Sequence, residues 1–333
     1  MTKKIEKNML RERAKPLPEV TDEMWNKIDD EHRMLVQEFL ETGSFRAKSK
    51  RQYTSALKQF FWWVHHSLND KKLYKITKRD FLRYISFLKN RNMSSSGIAL
   101  KKAAVSSLNN YIENVVADDD ENYDKFRNFT RGLPAIPKTQ TYQKVKITYE
   151  DYQEMMKILE DDENYLGMAW LATAFNVGAR LAEIVQFKTE ILDYAIPEGQ
   201  NYVLSHTIYG KGRGEGKVLN YMINKEALDY LKLWVEKRGY EHEYLFTTTY
   251  GGEPKQMSES WAEYFCSDVL TDILERRINV HLFKASCITY LLEIKKVPLE
   301  LVSKYVAQHE DISTTVRHYD LRDFAEEKNN IFK

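Results

Sequence analysis

Six residues suited to phosphate chemistry are strung through the C-terminal half of this chain: Arg180, Lys211, His281, Lys284, His309 and Tyr319. Arg180 lies in Val177-Gly178-Ala179-Arg180-Leu181-Ala182-Glu183, and Lys211 in Tyr209-Gly210-Lys211-Gly212-Arg213-Gly214-Glu215-Gly216. His281-Leu282-Phe283-Lys284 comes next, then Val306-Ala307-Gln308-His309, then Ile312-Ser313-Thr314-Thr315-Val316-Arg317-His318-Tyr319. Residues of these types can converge on one phosphate of a DNA backbone. A tyrosine hydroxyl attacks such a phosphate and holds the strand end as a phosphotyrosine. The charge developing on the non-bridging oxygens then needs fixed donors, and a planar guanidinium supplies two parallel bonds. The leaving oxygen needs a proton, which a lysine or histidine can give. This chemistry needs no metal or cofactor, and none is expected.

Blander explanations apply to each residue alone. Among 21 tyrosines an arbitrary one is a packing residue, and Tyr319 stands out only through Thr314-Thr315 and His309 before it. His318 reads as a neighbour of the tyrosine rather than a participant. The glycine-rich segment Tyr209–Gly216 lacks the Gly-Lys-Ser/Thr of a P-loop. It lies between two strand-like runs, unlike a dinucleotide fingerprint. Either it is a loose hairpin tip, or its glycines let it approach a DNA backbone while Lys211 enters the groove, with Arg213 or Lys217 as substitutes.

The elements that must position these residues follow from periodicity. Residues 1–30, with Pro16 and Pro18, read as an arm rather than core. Helices are expected from Glu31 to about Gly43, after a cap at Ser44, over Lys78–Asn90, and over Ile98–Val116 beyond a break at Ser94-Ser95-Ser96-Gly97. Residues 31–133 thus form a helical domain, and residues 134–145 a linker. In residues 146–319, Thr148 caps a helix through Leu159, an apolar helix runs over Leu166–Asn176, and another over Arg180–Phe187. Alternating Tyr202–Ile208 and Lys217–Met222 make a hairpin, after which helices dominate. Residues 320–333 are a tail. The fold class is mainly α with a small β-sheet (α+β), in two domains.

A length of 333 residues accommodates two cores. Hydrophobic content of 43% and charged content of 30% fit a soluble protein. The N-terminal residues lack the apolar core of a signal peptide, and the two cysteines, Cys266 and Cys287, make no disulfide framework. A cytoplasmic, nucleoid-associated setting in a bacterial or phage-infected host cell, without membrane contact, is the expectation. Net charge is only +1, but its distribution is uneven. From Ser44 to Ala104 there are fifteen Lys or Arg against Asp70 and Asp80. Such segregation marks a face for a polyanion. Arg46, Lys48, Lys50, Arg51, Lys101, Lys102 and Arg213 are the candidate DNA-binding cations.

The ordered blocks together resemble the tyrosine recombinase, or phage integrase, family from about Glu41 to Tyr319. By that resemblance, Arg180 is similar to the first arginine, Glu183 to the supporting acid and Lys211 to the hairpin general acid. His281 resembles the start of the His-x-x-Arg box, His309 the late histidine and Tyr319 the nucleophile. Ser286, Thr289 and Leu291-Leu292-Glu293 match the helix after that box. The resemblance also implies that the basic helical domain and the mixed domain clamp a specific duplex DNA site.

Two departures bear on function. Lys284 stands where the family has its second arginine, and Ala307-Gln308-His309 where Leu-Gly-His is common. Losing one fixed donor at a developing anion costs on the order of 2.7–4 kcal/mol. One reading is a DNA-binding regulator of a phage or mobile element, a repressor with impaired recombination. The alternative is a working recombinase that tolerates Lys284. Leu321, Phe324, Ile331 and Phe332 give the tail apolar positions that could join protomers on DNA or pack on their own domain.

Overall fold

The computed structural model describes residues 17–137, 145–210, 216–324 and 328. They fall into two compact units that divide after residue 143. The first is helical: α1 (Asp22–Trp25), α2 (Asp30–Thr42), α3 (Ala47–Leu68), α4 (Lys78–Asn90) and α5 (Ser95–Asn114). Phe60, Phe61 and Val64 of α3 close over Phe81, Tyr84 and Leu88 of α4 and over Val105, Leu108 and Ile112 of α5. Each fully buried large apolar side chain contributes roughly 1.5–3 kcal/mol.

Local chemistry starts these helices. Asp29 accepts from the Glu31 N–H, and Thr77 forms a reciprocal capping box with Asp80. Two starts differ from expectation. Ser44 does not cap α3; Arg46 precedes it without a side-chain cap bond. The serine run initiates α5 rather than breaking the chain, because the Ser94 hydroxyl accepts the Gly97 N–H. The segment read as an arm also contributes to the core, with Val20 and Ile28 buried.

The second unit opens with α6 (Tyr149–Asp161), whose Thr148–Asp151 capping box matches the sequence expectation. Next comes α7 (Tyr165–Val177), buried on nearly every side. It packs against α6, α9 (Lys225–Lys237) and α11 (Val280–Glu293) and is the axis of this core. α8 is a single turn, Leu181–Ile184, shorter than the expected helix over Arg180–Phe187.

The hairpin is split. β1 (Tyr202–Leu204) pairs with β4 (Met222–Asn224), and β2 (Ile208–Tyr209) with β3 (Val218–Leu219), both antiparallel. Between them the Ser205 hydroxyl takes the Tyr221 N–H at 2.9 Å, where a regular ladder would place a carbonyl. A further hairpin, β5 (Thr247–Tyr250) with β6 (Glu253–Gln256), interrupts the stretch read as helical. Its turn is Gly251-Gly252, both at positive φ (68° and 89°), and this pair is the sequence signal of a two-residue hairpin. After it come α10 (Glu259–Tyr264), which runs on as a π-helical stretch, α11, α12 (Leu299–Leu301), similarly extended over Val302–Val306, and α13 (Ile312–His318). No described helix is long and apolar enough to cross a membrane.

Candidate functional site

Arg180, Glu183, Lys284, His309 and Tyr319 come together at one place in the second unit, on four different elements. α7 ends at Gly178, whose φ of 69° is the left-handed region that favours glycine. A side chain there would also sit 2.9 Å from Val306 Cγ1 and 3.2 Å from Cys287 Sγ. The chain therefore turns tightly and delivers Arg180 as the N-cap of α8. The Arg180 main-chain N–H donates to Glu183 Oε2 at 2.7 Å, and its Nη1 donates to Glu183 Oε1 at 3.0 Å. Glu183 is 1% exposed and also accepts the Tyr221 hydroxyl at 2.5 Å. Burial pushes its carboxyl upward, yet the charge of Lys284, the Tyr221 bond and Arg180 together hold it below the usual carboxylate range.

The other guanidinium face is turned to the C-terminal elements. Arg180 Nη2 lies 3.5 Å from His309 Nε2, and the guanidinium also engages Tyr319. A guanidinium cannot accept a hydrogen bond, so Nε2 is the acceptor and Nδ1 carries the proton. His309 Nδ1 then donates to Thr315 Oγ1, 2.8 Å away. Burial, with Lys284 and Arg180 nearby, lowers the His309 pKa to about 4, leaving the ring neutral at physiological pH. The His309 and Tyr319 rings lie 4.8 Å apart. Thr289 of α11 fixes the tyrosine backbone from both sides: its hydroxyl donates to Tyr319 O at 3.2 Å and accepts the Leu321 N–H at 3.0 Å.

Lys284 is 2% exposed. Its ammonium donates to the Ala307 carbonyl at 3.0 Å and lies 6.0 Å from the Tyr221 ring centroid and 5.9 Å from that of Tyr319. Burial, reinforced by Arg180 and opposed by Glu183, lowers its pKa to about 7. His281 sits one turn earlier on α11 and is exposed.

The hairpin reaches this centre as well. Lys217 Nζ donates to the Gln308 carbonyl at 3.0 Å and lies 3.3 Å from Glu310. Gln308 Nε2 donates to the Asn220 carbonyl at 2.6 Å, with Gln308 itself at φ 53°. Lys211 and Arg213 lie outside the described residues.

In the helical unit, Arg46, Lys48, Lys50 and Arg51 are exposed at the start of α3. Lys101 and Lys102 are half-buried, and Lys101 donates to Gln59. Tyr221 and Gln308 are the contributors that sequence reasoning did not assign. Alternation along the strand marks Tyr221 as inward-facing, but nothing local pairs it with Glu183.

Known proteins share this arrangement of elements. The Phage integrase family model matches residues 146–326, more than half of the chain. This chain belongs to the phage integrase family. The SPbeta prophage-derived recombinase-like protein YomM of Bacillus subtilis (strain 168) is 77% identical over 332 residues, covering 100% of both chains. The TnP I resolvase of Bacillus thuringiensis is 25% identical over 202 residues, 58% of this chain and 65% of its own. Among solved structures, the Tn1549 transposon integrase bound to transposon right end DNA has a TM-score of 0.65 at 12% identity, covering 90% of this chain and 98% of that one. The XerH site-specific recombinase bound to its difH substrate has a TM-score of 0.65 at 16% identity, covering 100% and 91%. At such identities the likeness establishes the tyrosine recombinase fold.

Proposed function

We propose that this chain is a sequence-specific duplex DNA-binding protein that regulates transcription in a prophage or related mobile element, working in the cytoplasm as a repressor with attenuated strand cleavage. The observation carrying this reading is the state of Lys284. Its ammonium is buried and bonded to the Ala307 carbonyl. A planar fork directed at a phosphate is missing at that position. With burial holding its pKa at about 7, the side chain is also only partly charged near neutrality. Among the described residues Arg180 is then the one guanidinium of this cluster for a non-bridging oxygen, and its loss of a partner slows cleavage far more than it weakens grip. The prophage origin in the name of the 77% identical relative supports the setting. The exposed cations of α3 supply sequence-independent phosphate contacts.

The same site favours a second reading. Tyr319 lies with its ring 4.8 Å from that of His309 and close enough to Arg180 to raise that guanidinium's pKa, which supports a nucleophile's role. In an active recombinase Tyr319 would attack, Arg180 and His309 would hold the phosphate, and Lys211 would protonate the leaving oxygen.

Trapping on nicked duplex separates the two. The regulator accumulates no more than a trace of covalent protein–DNA adduct, and Tyr319→Phe binds DNA within about twofold of wild type, since the ring's packing is kept. An abundant adduct in wild type that disappears in Tyr319→Phe establishes the recombinase instead. The tail stays a candidate for contact between protomers, although Leu321 packs on the core of its own unit.

A further inference from the structure

Two cations of this site, Arg180 and Lys284, meet residues outside the six, Glu183 and Tyr221. Glu183 Oε1 receives Arg180 Nη1, whereas Oε2 receives both the Arg180 N–H and the Tyr221 hydroxyl. The carboxylate plane is thus pinned from two directions, and with it the guanidinium edge left free to face His309 and Tyr319. Tyr221 is itself enclosed. It is fully buried, its N–H is held by Ser205 Oγ at 2.9 Å, and its ring lies 6.1 Å from that of Phe187. The other element of the pair, the Lys284 ammonium, lies between two rings, at 6.0 Å from Tyr221 and 5.9 Å from Tyr319. Aromatic faces attract a desolvated cation, which compensates part of the cost of burying a lysine there. Tyr319 stands where a phosphate would be engaged, so Tyr221 is the ring that stays in place.

We propose that Tyr221 is the positioning residue for the Arg180–Lys284 pair, its hydroxyl acting through Glu183 and its ring face supporting the lysine. This rests on the reading that Arg180 holds a DNA phosphate. Tyr221→Phe deletes the first function and keeps the second. Without the hydroxyl, Glu183 Oε2 keeps only the main-chain N–H, the carboxylate can turn, and Arg180 loses its fixed direction. Tyr221→Leu deletes both functions.

The test is a double-mutant cycle on affinity. The probe is a labelled duplex carrying the sequence that the wild-type full chain retains from a random pool, measured at one fixed salt concentration. Arg180→Ala is expected to weaken binding about tenfold. Tyr221→Phe is expected to weaken it about three- to tenfold in the wild-type background and less than about twofold in Arg180→Ala, because its effect runs through that arginine. Tyr221→Leu should weaken binding further than Tyr221→Phe and keep a residual effect in Arg180→Ala, through Lys284. A purely structural role would shift melting temperature and leave the affinity effects additive. Additive effects, or wild-type affinity for Tyr221→Phe, overturn the hydroxyl's role, and equal effects of the two substitutions overturn the ring's. Should Tyr221→Phe not fold, Glu183→Gln replaces it in the cycle and must show the same coupling to Arg180. Wild-type affinity for Arg180→Ala instead removes the phosphate at Arg180, and the underlying reading fails with the proposal.

Discussion

Replacing Lys284 by methionine should change how stability depends on pH. The ordinary lysine pKa of 10.5 applies to the unfolded chain, and burial lowers it to about 7 in the folded unit. Between these values the folded state binds fewer protons than the unfolded state, so stability rises with pH across that window. One proton difference gives a slope of about 1.4 kcal/mol per pH unit. From about pH 7.5 to 9 the wild type should therefore gain about 2 kcal/mol relative to Lys284→Met. Neighbouring groups contribute equally to both proteins: the Cys266 and Cys287 thiols, raised by burial from an ordinary value of 9.0, begin to cost stability at the top of this window in each, and the cost cancels in the difference. His309 titrates near 4, the Cys287 thiol is pushed by burial to about 12, and burial and Glu183 push the Tyr221 hydroxyl above its usual range. Losing the bond to the Ala307 carbonyl adds an offset but no slope. Urea unfolding of both proteins at several pH values measures the difference, with the transitions of the two units fitted separately. Parallel pH profiles would show that Lys284 keeps an ordinary pKa, and the account of a desolvated, half-charged ammonium would be wrong.

Alanine at Arg46, Lys50 and Arg51 together should weaken binding to every duplex alike and reduce the slope of log affinity against log salt by about one per lost phosphate contact; filter binding across a salt series reads both, and a loss confined to one sequence would mean base contacts. Gly178→Ala should destabilise the second unit by roughly 1–3 kcal/mol, from the left-handed backbone and the 2.9 Å approach of Val306; a melting temperature equal to wild type refutes the strain. Gln308→Gly should relieve the backbone cost of φ 53° while releasing the Asn220 carbonyl. Faster tryptic cutting after Lys217 is then expected, and unchanged cutting would show that Gln308 does not hold the hairpin.

Helix positions, the central apolar helix and the hairpin were legible because each is set by neighbours a few residues apart. Thr77 and Thr148 announce α4 and α6 through capping boxes closed within three residues. The largely apolar run of α7 states that it is enclosed. The order of Arg180, Lys284, His309 and Tyr319, with their local runs, identified the family, since those runs are one-dimensional features. The split in the hairpin was less accessible, as it depends on one serine hydroxyl substituting for a ladder acceptor.

What tertiary structure alone decided is how the cations are held. Lys284 and the Ala307 carbonyl are 23 positions apart, and Tyr221 and Glu183 are 38 apart. No periodicity relates such pairs; packing of α11 against the Val302–Val306 stretch, and the Tyr221 bond from the hairpin to Glu183 of α8, bring them within reach. Lysine in place of arginine is visible in the sequence as a lost fork. That its ammonium is buried between two tyrosine rings and bonded to a main-chain carbonyl follows only from the fold, because the dielectric around a charge is a property of everything packed near it rather than of its own position in the chain.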